Sequence, residues 1–256
     1  MDLAQVNEAL NLYVRPQTFP LAVRLVENEQ ELPARARRPA KDLGGAMPMC
    51  QAWGTARRYG WTVAMGREDQ LCPYGALTLG FHPPKEGFLS GEYPGGFPSP
   101  EAARAAHATI KRLDYGRYQY VVFAPITSAT FEPHVVIVYG NSAQVMRLVQ
   151  GAAFSRGGTV QATASGGMDC ADLLTQPIVS EECHFVLPCN GDRIFGMAQD
   201  HEMAFTMPWA LVEDVVKGLE TGHKSGLQRY PIPSYMRFQA QMPEHYRQLM
   251  DYLKQE

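Results

Sequence analysis

"VLPCNGDRIFGMAQDHEMAF", residues 186–205, sets Cys189 at the end of a short apolar strand, follows it with Gly191, Asp192, Arg193 and Gly196, and enters a second apolar run after Glu202. "LCPYGALTLGF", residues 71–81, repeats the order: Cys72 beside a proline, then Gly75 and Gly80. Upstream of each lies another cysteine, after a glycine-containing loop and at the head of a helix-like run. These are Cys50 in "CQAWGTARRYGW" and Cys170 in "CADLLTQP". The two members of each pair stand 22 and 19 residues apart. Loop, cysteine, short helix, strand, second cysteine, glycine turn and proline-started helix occur twice in that order. The expected fold is α/β, with mixed α+β as the alternative. It is a single unit over residues 1–256 built from two related αβ halves, about 18–125 and 132–235, split near residue 130.

Working outward, "PLAVRLVE" (20–27) reads as a strand and "WTVAMGREDQ" as a strand and turn. Ser99-Pro100-Glu101 is an N-cap followed by an N1 proline, so a helix is expected over "EAARAAHATIKRLDYG". "RYQYVVFAPI" and "HVVIVYG" read as strands, and Asn141 or Ser142 caps a helix over "NSAQVMRLVQGAAF". "MAFTMP" is a buried strand, and "PWALVEDVVKGLETGHKSG" a helix closed by His223, Lys224 and Gly226. The tail "LQRYPIPSYM" reads as extended, and "MDLAQVNEALNLYV" as an amphipathic N-terminal helix rather than a signal peptide.

The chain of 256 residues is 45% apolar and 19% charged, with a net charge of −3, which is a globular profile. No basic field points to nucleic acid, and the apolar runs are strand-sized, well under the ~20 residues of a membrane span. A cytoplasmic protein is expected. Five cysteines form an odd set, so a complete disulfide framework is excluded and thiols are the better reading. Cys183 lies outside the repeated pattern and reads as a small buried residue.

If the halves face each other about a pseudo-twofold axis, Cys50 and Cys72 meet Cys170 and Cys189. Four converging thiolates suit soft metal centres: an iron–sulfur cluster, foremost of the 4Fe-4S type, with zinc or no metal as alternatives. Gly75 and Gly191 would let the backbone approach the cofactor. Arg193 offers a fixed positive fork beside Cys189, or an ion pair with Asp192, Asp200 or Glu202. Glu202, next to the apolar run, is a candidate for proton transfer. Asp192 reads as a turn or solvent residue, and His201 as part of a solvated turn. The small basic loop of Arg35, Arg37, Arg38 and Lys41 reads as a solvated face or a cover for an anion.

The expected function is a cysteine-ligated metal or iron–sulfur protein doing redox or cluster-assisted chemistry on a small molecule. As an enzyme it would be an iron–sulfur-dependent oxidoreductase or lyase. That allows an electron-transfer partner and leaves room for a homo-oligomer. The alternative is a metal-free binding module that holds a small anionic metabolite with the glycine turns and Arg193.

"PLAVRLV", "CQAW", "CPYGALTLGF", "VVIVYGNSAQVMRL", "DCADLL", "LPCNGDRIFG", "DHEMAFTMP" and "GLETGHKSG…RYPIP" together resemble the family called domain of unknown function 169, from about residue 10 to 235. The resemblance implies one integral unit from a family of bacteria and archaea, often anaerobes. It also implies functional slots at Cys50, Cys72, Cys170 and Cys189, with Gly191, Arg193 and Glu202 nearby. It implies no established reaction or cofactor.

Overall fold

A computed structural model describes residues 1–93, 95–154, 156–226 and 242–255. The chain opens with helix α1 (Leu3–Tyr13), started by a capping box in which Asp2 and Gln5 exchange side-chain and backbone bonds of 2.8 and 2.9 Å. The first half continues through β1 (Leu21–Val26), α2 (Pro39–Asp42), α3 (Met49–Tyr59), β2 (Val63–Met65), α4 (Pro73–Thr78), α5 (Glu86–Leu89), α6 (Pro100–Thr109) and β3 (Tyr120–Pro125). The second half runs through β4 (Val135–Gly140), α7 (Ser142–Phe154) and β5 (Gln161–Thr163). A π-helical turn (Cys170–Thr175) then leads into α8 (Gln176–Ser180), β6 (His184–Val186), α9 (Asn190–Ile194), β7 (Met203–Pro208), α10 (Trp209–Lys224) and α11 (Glu244–Leu253).

The strands form one seven-stranded sheet in the order β2-β3-β1-β4-β7-β6-β5. Its centre is the antiparallel pair β1–β4, with Leu21 opposite Ile137 and Val23 opposite Val135. To one side β1 pairs antiparallel with β3 and β3 with β2; to the other β4 pairs antiparallel with β7 and β7 with β6. β5 is added parallel to β6 at the edge. Every residue of β3 and β4 is buried. A strand covered on both faces has no reason to alternate apolar with polar, which is why these two read as continuous apolar runs. One face carries Val23, Leu25, Phe123, Ile137 and Tyr139 against α3, α4 and the π-helical turn. The other carries Val136, Val138, Phe205 and Met207 against α1, α7 and α10.

The expected caps are present. The Ser99 hydroxyl accepts the Ala102 N–H at 3.2 Å, and the Asn141 side chain accepts the Gln144 N–H at 3.0 Å. Two local expectations need correction. Cys72 and Cys189 do not end strands in glycine turns; each is the N-cap of a short helix, α4 and α9. Pro73 occupies the first turn of α4, where its fixed φ favours a helix start. Asp192 is no solvent residue but fully buried, for a reason given below. α11 was not expected from the sequence, and the tail read as extended, residues 227–236, lies outside the described residues together with the end of the second expected half.

Candidate thiol-lined site

Cys50, Cys72, Cys170 and Cys189 line one cavity of about 470 Å³ on the sheet face that carries α3 and α4. Cys50 is the second residue of α3, Cys170 opens the π-helical turn, and Cys72 and Cys189 cap α4 and α9. All four are therefore held at helix starts, where free backbone N–H groups face outward. Met49, Trp53, Leu71, Pro73 and Phe195 supply an apolar wall, and Asp169 is the charged side chain of the lining. Leu71 and Phe195 are 64% and 48% exposed, so the rim on their side is apolar and open to solvent.

Two glycines make the approach of α3 to α9 possible. A Cβ on Gly54 would lie 2.6 Å from the Gly196 carbonyl oxygen, and one on Gly196 would lie 2.0 Å from Asp192 Oδ1 and 2.8 Å from the Cys50 carbonyl oxygen. All three distances are shorter than van der Waals contact allows. Gly75 is a packing glycine whose Cβ would meet the Gln70 side chain at 2.7 Å. Gly191 has no such constraint; its Cβ would stand 3.7 Å from Cys189 Sγ, on the lining of the cavity.

Burial raises the Cys50 thiol well above its ordinary range, helped by the charges of Asp192, Cys189 and Cys72, while the Gln51 backbone opposes it. Burial likewise raises Cys170, with Cys72 and then Cys189 adding to it and a hydrogen bond from Thr78 opposing. Cys189 is pushed up to about 11 by burial and by Asp169, against hydrogen bonds from the backbone at Asp169, Asp192 and Gly191. The thiols thus sense one another across the two halves: Cys50 with Cys189, and Cys170 with Cys72. The Cys50 thiol also donates to the Gly191 carbonyl at 3.4 Å. Without a positive partner Cys50, Cys170 and Cys189 hold their protons, and a cationic core would be needed to make them thiolates. Among the described residues, no group of three or more His, Cys, Asp or Glu is set to hold a single metal ion.

Three acidic residues around the cavity differ in their support. Asp169, 2% exposed, accepts the Cys189 N–H on Oδ2 at 2.7 Å, while its Oδ1 has no hydrogen-bond partner. Burial lifts its carboxyl to about 7. Asp192 accepts the Trp53 indole N–H at 2.8 Å and the Tyr139 hydroxyl at 2.6 Å. Glu202 forms a two-pronged ion pair with the buried Arg57, at 2.8 and 3.0 Å, and meets Arg58 at 3.1 Å. Burial pushes the Glu202 carboxyl up, but the Arg57 hydrogen bonds, the Gln199 N–H and both arginine charges bring it below its ordinary value.

Arg193 stands outside the cavity lining. Its guanidinium donates to the Pro188 and Gln199 carbonyls at 3.1 and 2.8 Å, with Asp200 at 3.9 Å. It ties the segment before Cys189 to the turn before β7, and Glu202 takes Arg57 and Arg58 instead. Arg38 of the basic loop is buried against Asp69 and Glu68. Cys183 is buried away from the four thiols, between the sheet and the helices of its other face. The sequence reading missed Asp169, Trp53, Arg57 and Tyr139. The spacing carried one usable signal: Trp53 follows Cys50 by three residues and Asp192 follows Cys189 by three.

The fold and site together define a mixed α/β protein whose two halves each contribute two thiols to one cavity. The model of the family domain of unknown function 169, described as uncharacterised ArCR, matches residues 9–218, and the chain belongs to that family. It is also similar to the uncharacterized protein MJ0308 of Methanocaldococcus jannaschii, with 26% identity over 229 residues, covering 86% of this chain and 96% of the relative. No solved structure matches the chain. Among the described residues, no helix is long and apolar enough to cross a membrane.

Proposed function

We propose that the cavity holds an iron–sulfur cluster, of the 4Fe-4S type, on Cys50, Cys72, Cys170 and Cys189, in a cytoplasmic protein that acts on a small molecule. The observation that carries this reading is the convergence of four cysteines, spread over 139 residues of sequence, on one cavity of about 470 Å³. A zinc ion would draw its four sulfurs to about 4 Å from one another, whereas a cubane cluster spaces them by roughly 6–7 Å, since each thiolate binds its own iron. A cavity this large suits the bulkier group. When bound, such a cluster would supply one-electron transfer or a Lewis-acidic iron. The chain's own contribution is then to hold four sulfurs, to aim backbone N–H groups at Cys189, and to shield the centre with Met49, Trp53 and Phe195. The open apolar rim at Leu71 and Phe195 suits entry of a small molecule or the approach of an electron-transfer partner.

The same reading includes duplication of an αβ unit. The strand order supports it, because β2-β3-β1 and β6-β7-β4 carry the same pairings outward from the central β1–β4 pair. The cysteines support it too. Cys50 and Cys170 stand at the start of the helical segment that leads into β2 and β6, and Cys72 and Cys189 cap the short helix after β2 and β6. The electrostatic pairs Cys50–Cys189 and Cys170–Cys72 exchange under that correspondence. β5 and α7 have no counterpart in the first half.

Iron and acid-labile sulfide measured on anaerobically purified protein test the proposal. About four of each per chain are expected, with absorbance near 400 nm. Both should be lost on replacing any one of the four cysteines by serine and kept in Cys183→Ser. Stoichiometric zinc without sulfide, or iron that survives all four replacements, would contradict it. The metal-free alternative with Arg193 as anion holder has less support, because Arg193 is engaged with carbonyl groups outside the cavity.

A further inference from the structure

Asp192 has no role in the proposed ligand set, yet its burial and partners are unusual. Its carboxylate is fully enclosed between α3 and the sheet, three residues after Cys189. It takes the indole N–H of Trp53, three residues after Cys50, at 2.8 Å, and the Tyr139 hydroxyl of β4 at 2.6 Å. Trp53 and Asp192 are thus the side-chain contact, beside the Cys50 thiol on the Gly191 carbonyl, through which the helix bearing Cys50 grips the helix bearing Cys189. Gly54 and Gly196 allow the backbones to close to that distance, and Asp192 Oδ1 fills the space where a Gly196 Cβ would stand. The opposite pair has no counterpart of this side-chain bond at the matching positions, since Gly75 occupies the place three residues after Cys72 and Leu173 the place three residues after Cys170.

We propose that Asp192 is a positioning residue: it bridges α3, α9 and β4 and fixes the spacing of Cys50 and Cys189, one of the two thiol pairs of the site. The clamp stands on the geometry alone; its consequence for a cofactor rests on the cluster reading. The Cys72–Cys170 pair, lacking the clamp, serves as an internal reference. A tyrosine hydroxyl can accept as well as donate, so asparagine at 192 can keep both bonds, whereas leucine can keep neither.

The test uses the full-length, reduced, metal-free protein, a short bis-maleimide as the probe, and mass spectrometry to map linked cysteines. Asp192→Leu is expected to lower the Cys50–Cys189 link roughly threefold or more relative to the Cys72–Cys170 link in the same sample, the scale set by losing buried hydrogen bonds. Asp192→Asn should restore most of it. Should Asp192→Leu fail to fold, Trp53→Phe removes the indole N–H together with one ring of the buried side chain and should lower the same ratio. An unchanged ratio in the leucine variant, or an equal fall of both links, overturns the clamp. Iron bound after anaerobic preparation should follow the same order, wild type and asparagine above leucine. A wild-type chain without iron would defeat the cluster reading, while the ratio of links would still decide for or against the clamp.

Discussion

Asp169 sits beside Cys170 with one oxygen on the Cys189 N–H and the other without a partner, and burial lifts its carboxyl to about 7. An unfolded aspartate titrates near 3.9, so between the two values the folded chain holds a proton that the unfolded chain has lost. That contribution to stability is complete below about pH 4 and is lost as pH rises towards 7. Asp169→Asn, which keeps an acceptor for Cys189, should therefore gain on the wild type as pH rises from 4 to 7 and hold the gain above. Urea unfolding at a series of pH values checks this, and a difference independent of pH would contradict it. Arg57 poses the opposite case, a buried cation already matched by Glu202 and lying 3.9 Å over the Tyr139 ring. Removing one partner strands the other, so Arg57→Leu should cost about 3–5 kcal/mol, and Arg57→Leu combined with Glu202→Leu should cost less than the single change.

The helix pair α3 and α9 shows what one element asks of another. A Cβ at Gly54 must push against the Gly196 backbone, which has no flexible end to move aside. Gly54→Ala should lower stability by about 1–3 kcal/mol, the usual cost of overpacking, and should weaken metal retention more than an alanine at the unconstrained Gly191. Thermal melts and iron content read the two effects separately. The elements themselves were mostly legible. β1, β3, β4 and β7 announced themselves as apolar runs, and Ser99 and Asn141 as caps, because these depend on local composition. The two short helices after Cys72 and Cys189 were not legible. Five or six residues give too little periodicity, and cysteine is no customary N-cap. Asp192 was misread for a related reason: an aspartate after glycine usually marks a turn, and only the indole of Trp53, 139 residues away, makes its burial favourable.

For the whole molecule, the order of cysteines and glycines in the chain was enough to bring four residues to one cavity, but not to say what faces them. Convergence of that kind is a property of topology. The central β1–β4 pair sets the two halves side by side, and each half then delivers its thiols to the same sheet face. Arg57 with Glu202, and Trp53 with Asp192, join the halves across more than 130 residues of sequence, contacts that no local pattern encodes. The central claim is that one cluster spans both halves, and anomalous diffraction at the iron edge from anaerobically grown crystals tests it most directly. The account predicts a single strong iron peak inside the cavity, bounded by the sulfurs of Cys50, Cys72, Cys170 and Cys189. A cavity without iron, or a peak bound by thiols of only one half, would contradict it.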